Sequence, residues 1–154
     1  MNGEPIQLVP QRGECEVVGE GAIWVPEGLY ELAFVGWHTS RMFNRDKLII
    51  EFRVVTPGKA FEACLRRYYN VEIIKPSGKY GRFKASRSTD FVREHAALFG
   101  LPRRLDRISM SRYEPVIIQG RVRTVTKARG RRLPEAMRYS IVAELLRVEV
   151  GGGK

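Results

Sequence analysis

Apolar and polar residues alternate along five stretches of the chain, and a period of two residues is typical of β-strands. The pattern covers residues 28–39, 47–55, 61–74, 115–126 and 138–150. The stretch 61–74 is long enough to contain a bend or a bulge. The chain therefore predicts five strands, which favours a mainly β fold.

The fifth of these stretches also fits a helix. Pro134 suits the first position of a helix that would run through the segment. However, the odd-numbered positions from Tyr139 to Leu145 follow a strand pattern, and the strand at 115–126 needs a hydrogen-bonding partner. We therefore interpret residues 138–150 as a strand.

One segment, 88–100, follows a helical period instead. Its apolar stripe consists of Phe91, His95, Leu98 and Phe99. One of three consecutive residues can cap its N-terminus: Ser88, Thr89 or Asp90. Gly100 ends the helix. Within it, we interpret Glu94 as a surface charge.

The order of elements is three strands, one helix and two strands. This is the order of the OB-fold, a partly open five-stranded barrel. We therefore predict a mainly β, five-stranded OB-fold-like barrel with one α-helix between strands 3 and 4. The domain would span residues 28–150, preceded by an acidic arm at 1–27 and followed by a flexible tail at 151–154.

Positive charge is concentrated in the second half of the chain. The 154 residues include 27 Lys and Arg against 17 Asp and Glu, a net charge of +10. Residues 75–132 hold 16 basic and 4 acidic side chains, whereas residues 1–27 hold five Glu and one Arg. A field of this kind attracts polyanions, so nucleic acid is the expected partner. The alternative is a basic surface that only keeps the protein in solution.

The acidic arm has two interpretations. Tethered beside a basic groove, it would be present there at high effective concentration and would compete with DNA. Alternatively, it pairs through residues 22–25 with the edge of the barrel or with another subunit. The second interpretation is compatible with a homo-oligomer.

The residues that enzymes use for catalysis are scattered. Five carboxylates that could hold Mg²⁺ are spread over the predicted elements: Asp46, Glu51, Asp90, Glu94 and Asp106. The chain has two histidines, and His95 lies in the apolar stripe of the helix, where a core histidine is expected. No GxxxxGK[ST] phosphate loop occurs. We predict no enzyme, no catalytic or metal site and no cofactor.

The two cysteines, Cys15 and Cys64, show neither CxxC spacing nor a metal-ligand pattern. No apolar run approaches the roughly 18 residues of a membrane span, and the N-terminus lacks the pattern of a secretory signal. We therefore expect a reduced, cytoplasmic protein that does not bind membranes. A disulfide between the two cysteines is left open.

The sequence CLRRYYNV, residues 64–71, places two arginines beside two tyrosines within a predicted strand. Nucleic-acid single strands are held by cations along the backbone and by aromatic rings on which bases stack. The apolar residues before this sequence predict that Arg67 and Tyr69 point inward and that Arg66 and Tyr68 point outward. The alternative is a snorkelling arginine and a packed tyrosine near the barrel rim.

A basic-aromatic loop at 79–87, a basic loop at 127–132 and outward arginines of other strands extend this candidate interface. Its residues are Arg53, Arg66, Tyr68, Lys79, Tyr80, Arg82, Lys84, Arg121, Arg123, Lys127, Arg129, Arg131 and Arg132. The loop at 40–45 would flank the same face, as in OB-folds that bind oligonucleotides. The first loop could instead be a solvated hairpin with Phe83 in the core.

Several stretches resemble small OB-fold single-stranded-DNA-binding or replication-accessory proteins of phages and integrated mobile elements. The resemblance covers about residues 28–149. It depends on residues 28–30, 47–52, Gly58, the Arg-Tyr-Tyr-Asn-Val sequence at 67–71 and the helix at Phe91. It implies sequence-tolerant binding of single-stranded DNA without a cofactor.

Charge, pattern and resemblance together lead us to expect a protein that binds single-stranded DNA in replication, recombination or maintenance of a phage or mobile element. RNA fits the same chemistry. One alternative is a protein-interaction or structural component of a mobile element that does not bind nucleic acid. The other alternative is a metal-dependent nuclease.

Overall fold

The computed structural model describes residues 23–75, 82–128 and 130–151. The strands are β1 (Gly28–Met42), β2 (Arg45–Val54), β3 (Cys64–Asn70), β4 (Glu72–Lys75), β5 (Arg82–Lys84), β6 (Val116–Val125), β7 (Lys127–Ala128), β8 (Arg131–Arg132) and β9 (Tyr139–Gly151). The helix α1 spans Asp90–Phe99, and short 3-10 helices cover Met110–Tyr113 and Glu135–Met137. The prediction of a mainly β fold with one α-helix is confirmed for these residues, and the segment at 139–151 is a strand.

Five strands form one antiparallel sheet in the order β3-β2-β1-β6-β9. The β4–β5 and β7–β8 pairs form two separate two-stranded sheets. The hydrophobic core packs against one face of the main sheet, the face on which the apolar side chains lie. From β2 it receives Leu48, Ile50, Phe52 and Val54, all fully buried as the alternation predicts.

The expected closed barrel is not found. Within the described ranges, no hydrogen-bonded ladder joins the edge strands β3 and β9, although their Cα atoms approach within 8 Å. Two backbone amides of β9 are occupied by other partners. Ser140 N–H donates to the carbonyl of Ile23 (2.9 Å), and Leu145 N–H donates to Glu94 Oε1 (3.0 Å). The two edges therefore leave a seam between them.

The helix follows β5, so its predicted place directly after a third strand is wrong. The predicted strand at 61–74 divides at Val71, because Asp46 accepts hydrogen bonds from its backbone. The carbonyl of Asp46 accepts from Val71 N–H (3.3 Å), and its carboxylate accepts from Ile73 N–H (2.9 Å). β4 then pairs with β5 outside the main sheet. β3 also begins late, at Cys64, after a turn in which Glu62 has a φ of 74°.

The predicted loop at 40–45 is mostly strand. Phe43 and Asn44 both have positive φ, 51° and 63°, as in the two-residue turns that join antiparallel strands tightly. β1 therefore extends to Met42, and β2 begins at Arg45.

A bulge in β1 changes the face on which Trp37 lies. The register shifts between Phe34 and Gly36, so the simple alternation fails after this point. Trp37 packs against the core, with its ring 5.9 Å from that of Phe83. Trp37 thus contacts the same core as Phe34, whereas the alternation predicted opposite faces.

The helix α1 has the predicted ends. The Thr89 side chain accepts a hydrogen bond from Val92 N–H (3.4 Å), and Gly100 has a φ of 95°. His95 is buried, and its Nδ1 lies 2.9 Å from the Tyr113 hydroxyl. Burial, with a smaller effect from Arg112, lowers the pKa of His95 to about 4.

No helix in the described part of the chain is long and apolar enough to cross a membrane.

The region predicted as an arm is described from Ile23 onward. Val25 is buried and exchanges two hydrogen bonds with the Ser140 side chain, of 2.8 and 3.0 Å. Cys64 is disulfide-bonded, which corrects the expectation of a reduced thiol. Cys15 and residues 1–22 lie outside the described residues. Of the two interpretations of the acidic segment, only the pairing with the sheet edge has described contacts, which are those of Ile23 and Val25 with Ser140.

Candidate nucleic-acid interface

Strand β3 presents different chemistry on its two faces. Arg67 and Tyr69 are buried, with 8% and 2% of their surfaces exposed, whereas Arg66 and Tyr68 are partly exposed. This alternation is the predicted one. Arg66 is held by Glu51 of the neighbouring strand, with Nη2 3.0 Å from Oε2. The outer face of β3 therefore offers a fixed guanidinium next to a tyrosine ring.

A groove of about 270 Å³ follows the seam between β3 and β9, and we call it the seam groove. Its lining residues are Ile23, Cys64, Leu65, Arg66, Tyr68, Tyr139, Ser140 and Ile141. Tyr68 and Tyr139 are 71 positions apart in the sequence but share this groove. The groove thus combines apolar walls, two aromatic rings and a cation.

The pKa of Tyr139 is influenced by burial and by two other side chains, Tyr68 and Arg123. Burial raises the pKa of Tyr139, the Tyr68 phenol raises it further, and Arg123 opposes the rise. Arg123 lies on β6 as the register partner of Ile141 and is exposed. In the described ranges, no carboxylate lies within 4.0 Å of the Arg123 guanidinium. Arg123 therefore has no ion pair among the described residues, and its register partner Ile141 lines the seam groove.

Beneath the seam, Glu94 of α1 connects the two edge strands. Its Oε2 accepts from Arg67 Nη2 (2.5 Å), and its Oε1 accepts from Arg67 Nε (3.2 Å), Tyr69 Oη (2.6 Å) and Leu145 N–H (3.0 Å). Burial raises the pKa of Tyr69 well above its usual value, so the phenol remains a donor. The interpretation of Glu94 as a surface charge is wrong, since only 1% of it is exposed. Its buried partners on β3 offset the loss of solvation.

Two further predicted residues lie on the main sheet but do not line the seam groove. Arg121 is exposed on β6, and its Nη2 lies 3.7 Å from Glu144 Oε1. Arg53 is half-buried on β2, with Cys64 as its register partner on β3. The positive charge of Arg121 is therefore partly neutralised by Glu144.

The basic loop at 127–132 contains the β7–β8 hairpin. Lys127, Arg131 and Arg132 are exposed, and none of them forms an ion pair with a described residue. Leu133 N–H donates to the carbonyl of Thr126 (2.7 Å), which fixes the base of the hairpin close to the end of β6. Arg129 lies outside the described residues.

The basic-aromatic loop is placed on a different sheet. Arg82 and Lys84 are exposed on β5, near Asp106 (3.5 Å) and Glu72 (3.7 Å), and do not line the seam groove. Phe83 between them is buried in the core, as the alternative interpretation of this loop had it. Lys79 and Tyr80 are outside the described residues.

Several residues at or beneath the seam were missed as site residues, among them Ile23, Glu94 and Tyr139. Glu94 had a detectable signal, because it stands three positions after Phe91, which puts it beside the apolar stripe of the helix. Tyr139 was placed on a strand, but alternation along one strand does not show which other strand lies beside it. Its place in the same groove as Tyr68 depends on how the sheet curls.

No group of three or more residues able to hold a metal ion occurs among the described residues.

The candidate interface consists of a groove with two tyrosines, flanked by one paired and one free arginine and by an exposed basic hairpin. No protein-family model, curated protein or solved structure matches this chain.

Proposed function

We propose that the chain is an OB-fold-like module that binds single-stranded nucleic acid, preferably DNA, with little dependence on sequence. One observation carries the proposal: Tyr68 and Tyr139, from the two edge strands, share a groove with Arg66 and beside Arg123. Aromatic faces next to cations are the chemistry that single strands require.

Each part of the groove suits a different part of a nucleotide. A base stacked on an aromatic ring contributes roughly 1–3 kcal/mol, and every base has a face that can stack. Because burial raises the pKa of Tyr139, its phenol is neutral at physiological pH and does not repel phosphate. The free guanidinium of Arg123 can then bind a phosphate, while Arg66 is already paired with Glu51.

The order of strands supports the OB-like interpretation. The OB-fold is a partly open barrel of five strands, so its sheet curls until its edges come near each other. Here β1 is central, and the edge strands β3 and β9 approach each other. The resemblance to phage and mobile-element proteins adds a role in replication, recombination or maintenance of such DNA.

Fluorescence anisotropy with a labelled oligo-dT, the corresponding duplex and the corresponding RNA tests this function. We expect the oligo-dT to bind more tightly than the duplex. Log affinity should fall linearly with log salt, with a slope of about −0.7 for each phosphate contacted. Failure to bind any of the three probes, or equal affinity for duplex and single strand, would contradict the proposal.

A further inference from the structure

Trp24 leaves 59% of its surface exposed although the backbone around it is firmly held. The next residue, Val25, is buried and bonded to the Ser140 side chain. Two positions further on, the Glu27 carboxylate accepts from Thr124 N–H (2.8 Å). An indole that is exposed on an ordered segment is pre-organised for a ligand, because stacking on it does not require ordering of the backbone.

This indole lines an open pocket of about 770 Å³, which we call the Trp24 pocket. Thr124 and Thr126 line it from the end of β6, and Glu135 and Arg138 line it from the segment before β9. Sites for small molecules commonly measure about 300–1,000 Å³. The pocket is therefore large enough for a nucleotide base.

Glu135 supplies a carboxylate to the lining of the Trp24 pocket. The side chain is exposed, and within the described part of the chain its carboxylate makes neither a hydrogen bond nor an ion pair. A carboxylate repels phosphate but accepts hydrogen bonds from the edge of a base. Guanine has two adjacent donors on its Watson–Crick edge, N1–H and the 2-amino group, which match the two oxygens of a carboxylate. The other three DNA bases lack such a pair of adjacent donors.

The Trp24 pocket and the seam groove are lined from the same two segments of the chain. Ile23 and Tyr139 line the groove, while their sequence neighbours Trp24 and Arg138 line the pocket. Thr126, at the edge of the pocket, directly precedes the exposed cations of the β7–β8 hairpin. A single strand that occupies both sites would pass from the two tyrosines to the indole, with its phosphates towards the hairpin.

We propose that the Trp24 pocket binds one guanine of the bound strand, with the base stacked on Trp24 and its Watson–Crick edge on the Glu135 carboxylate. This inference rests on the proposed function and adds a preference for one base at one position to an otherwise sequence-tolerant groove. Arg138, whose Nε donates to the carbonyl of Leu133 (3.1 Å), keeps its terminal nitrogens for the ligand.

The test compares an oligo-dT of about 12 nucleotides with two oligomers of the same length that carry dG at the 5′ or the 3′ end. Affinity is measured by anisotropy and tryptophan emission by titration. Of the two tryptophans, Trp37 is partly buried against the core, so the Trp24→Phe variant identifies the share of quenching that comes from Trp24. We expect one of the dG oligomers to bind roughly 5- to 100-fold more tightly than oligo-dT and to quench Trp24.

Three variants distinguish the parts of the inference. Trp24→Ala should weaken binding of the preferred dG oligomer by roughly 5- to 100-fold, and Glu135→Gln should remove the difference in affinity between that oligomer and oligo-dT. Met137→Ala is the matched control, because Met137 is 60% exposed in the same region but does not line the pocket.

The outcomes separate this inference from the proposed function. If wild-type protein binds all three oligomers equally, Trp24→Ala binds as wild type and Tyr68→Ala weakens binding, the guanine site is overturned and the proposed function stands. If no oligomer binds to the wild-type protein, both are overturned.

Discussion

Arg67 of β3 and Glu94 of α1 form a buried ion pair with two hydrogen bonds, Nη2 to Oε2 at 2.5 Å and Nε to Oε1 at 3.2 Å. The guanidinium also lies 4.2 Å from the centre of the Tyr69 ring. Burial acts to lower the pKa of Arg67, but the hydrogen bonds with Glu94 and the nearby negative charge raise it above its usual value. Because Glu94 also binds β9, this pair holds the two walls of the seam groove in place.

Removal of one partner of this pair should strongly destabilise the fold. Glu94→Ala leaves the Arg67 guanidinium buried without its anion, which costs about 3–5 kcal/mol. Urea unfolding measures the loss. Asp90→Ala is the matched control, because Asp90 lies on the same helix with its side chain 66% exposed, and we expect it to cost less than about 1 kcal/mol.

The double variant Arg67→Met with Glu94→Met tests whether the loss of stability comes from the unpaired buried charge. With both charges removed, we expect it to cost less than the sum of the two single changes. Additive losses would show that the pair does not act as a unit.

The tyrosines and the basic hairpin should contribute to binding in different ways. Tyr68→Ala and Tyr139→Ala should each weaken the binding of oligo-dT by roughly 1–3 kcal/mol without changing the salt dependence. Replacement of Arg131 and Arg132 by Ala should instead make the salt slope shallower, by about 0.7 for each phosphate that the variant no longer binds.

Tyr68→Phe keeps the ring and serves as the control for stacking, so its affinity should remain close to that of wild type. Melting curves verify that each variant is folded. Equal effects of the tyrosine and arginine changes on the slope would refute the division into stacking and phosphate contacts.

Stability should fall in acid because His95 is buried in its neutral form. Its pKa is about 4 in the folded protein against an ordinary value of 6.5, so between these pH values the unfolded chain binds more protons. The contribution of His95 is therefore lost as the pH falls, by roughly 2–3 kcal/mol between pH 7 and pH 4.5.

Urea unfolding of the wild-type and His95→Gln proteins at both pH values isolates this effect, since the other titrating groups are common to both proteins. The variant should show a smaller loss in acid. Equal losses in the two proteins would mean that His95 is not responsible.

Gly120 on β6 should not tolerate a side chain. A Cβ at this position would lie 2.6 Å from Leu32 Cδ1 and 3.3 Å from the carbonyl oxygen of Glu144. Leu32 is fully buried and has little room to move, so we expect Gly120→Ala to cost roughly 1–3 kcal/mol, measured by thermal or urea unfolding.

Leu32→Ala creates the missing space. The double variant Gly120→Ala with Leu32→Ala should therefore be more stable than the sum of the single losses indicates. Strict additivity would place the strain somewhere other than at this contact.

The sequence by itself determined the local structure, because local structure depends on near neighbours. The alternation in 47–55 predicted the buried face of β2, and the helical period with its cap and Gly100 predicted α1. The inward position of Tyr69 and the outward position of Tyr68 also follow from alternation along one strand.

Only the tertiary structure decided which distant residues meet. Asp46 divides the third predicted strand by accepting hydrogen bonds from residues 25 and 27 positions away, which no short sequence pattern encodes. Glu94 is buried because Arg67 and Tyr69 face it across the core, and Tyr139 reaches Tyr68 because the sheet curls until its edges approach. The physical reason is that periodicity assigns a side chain to a face, whereas its partners are set by how the strands and the helix pack.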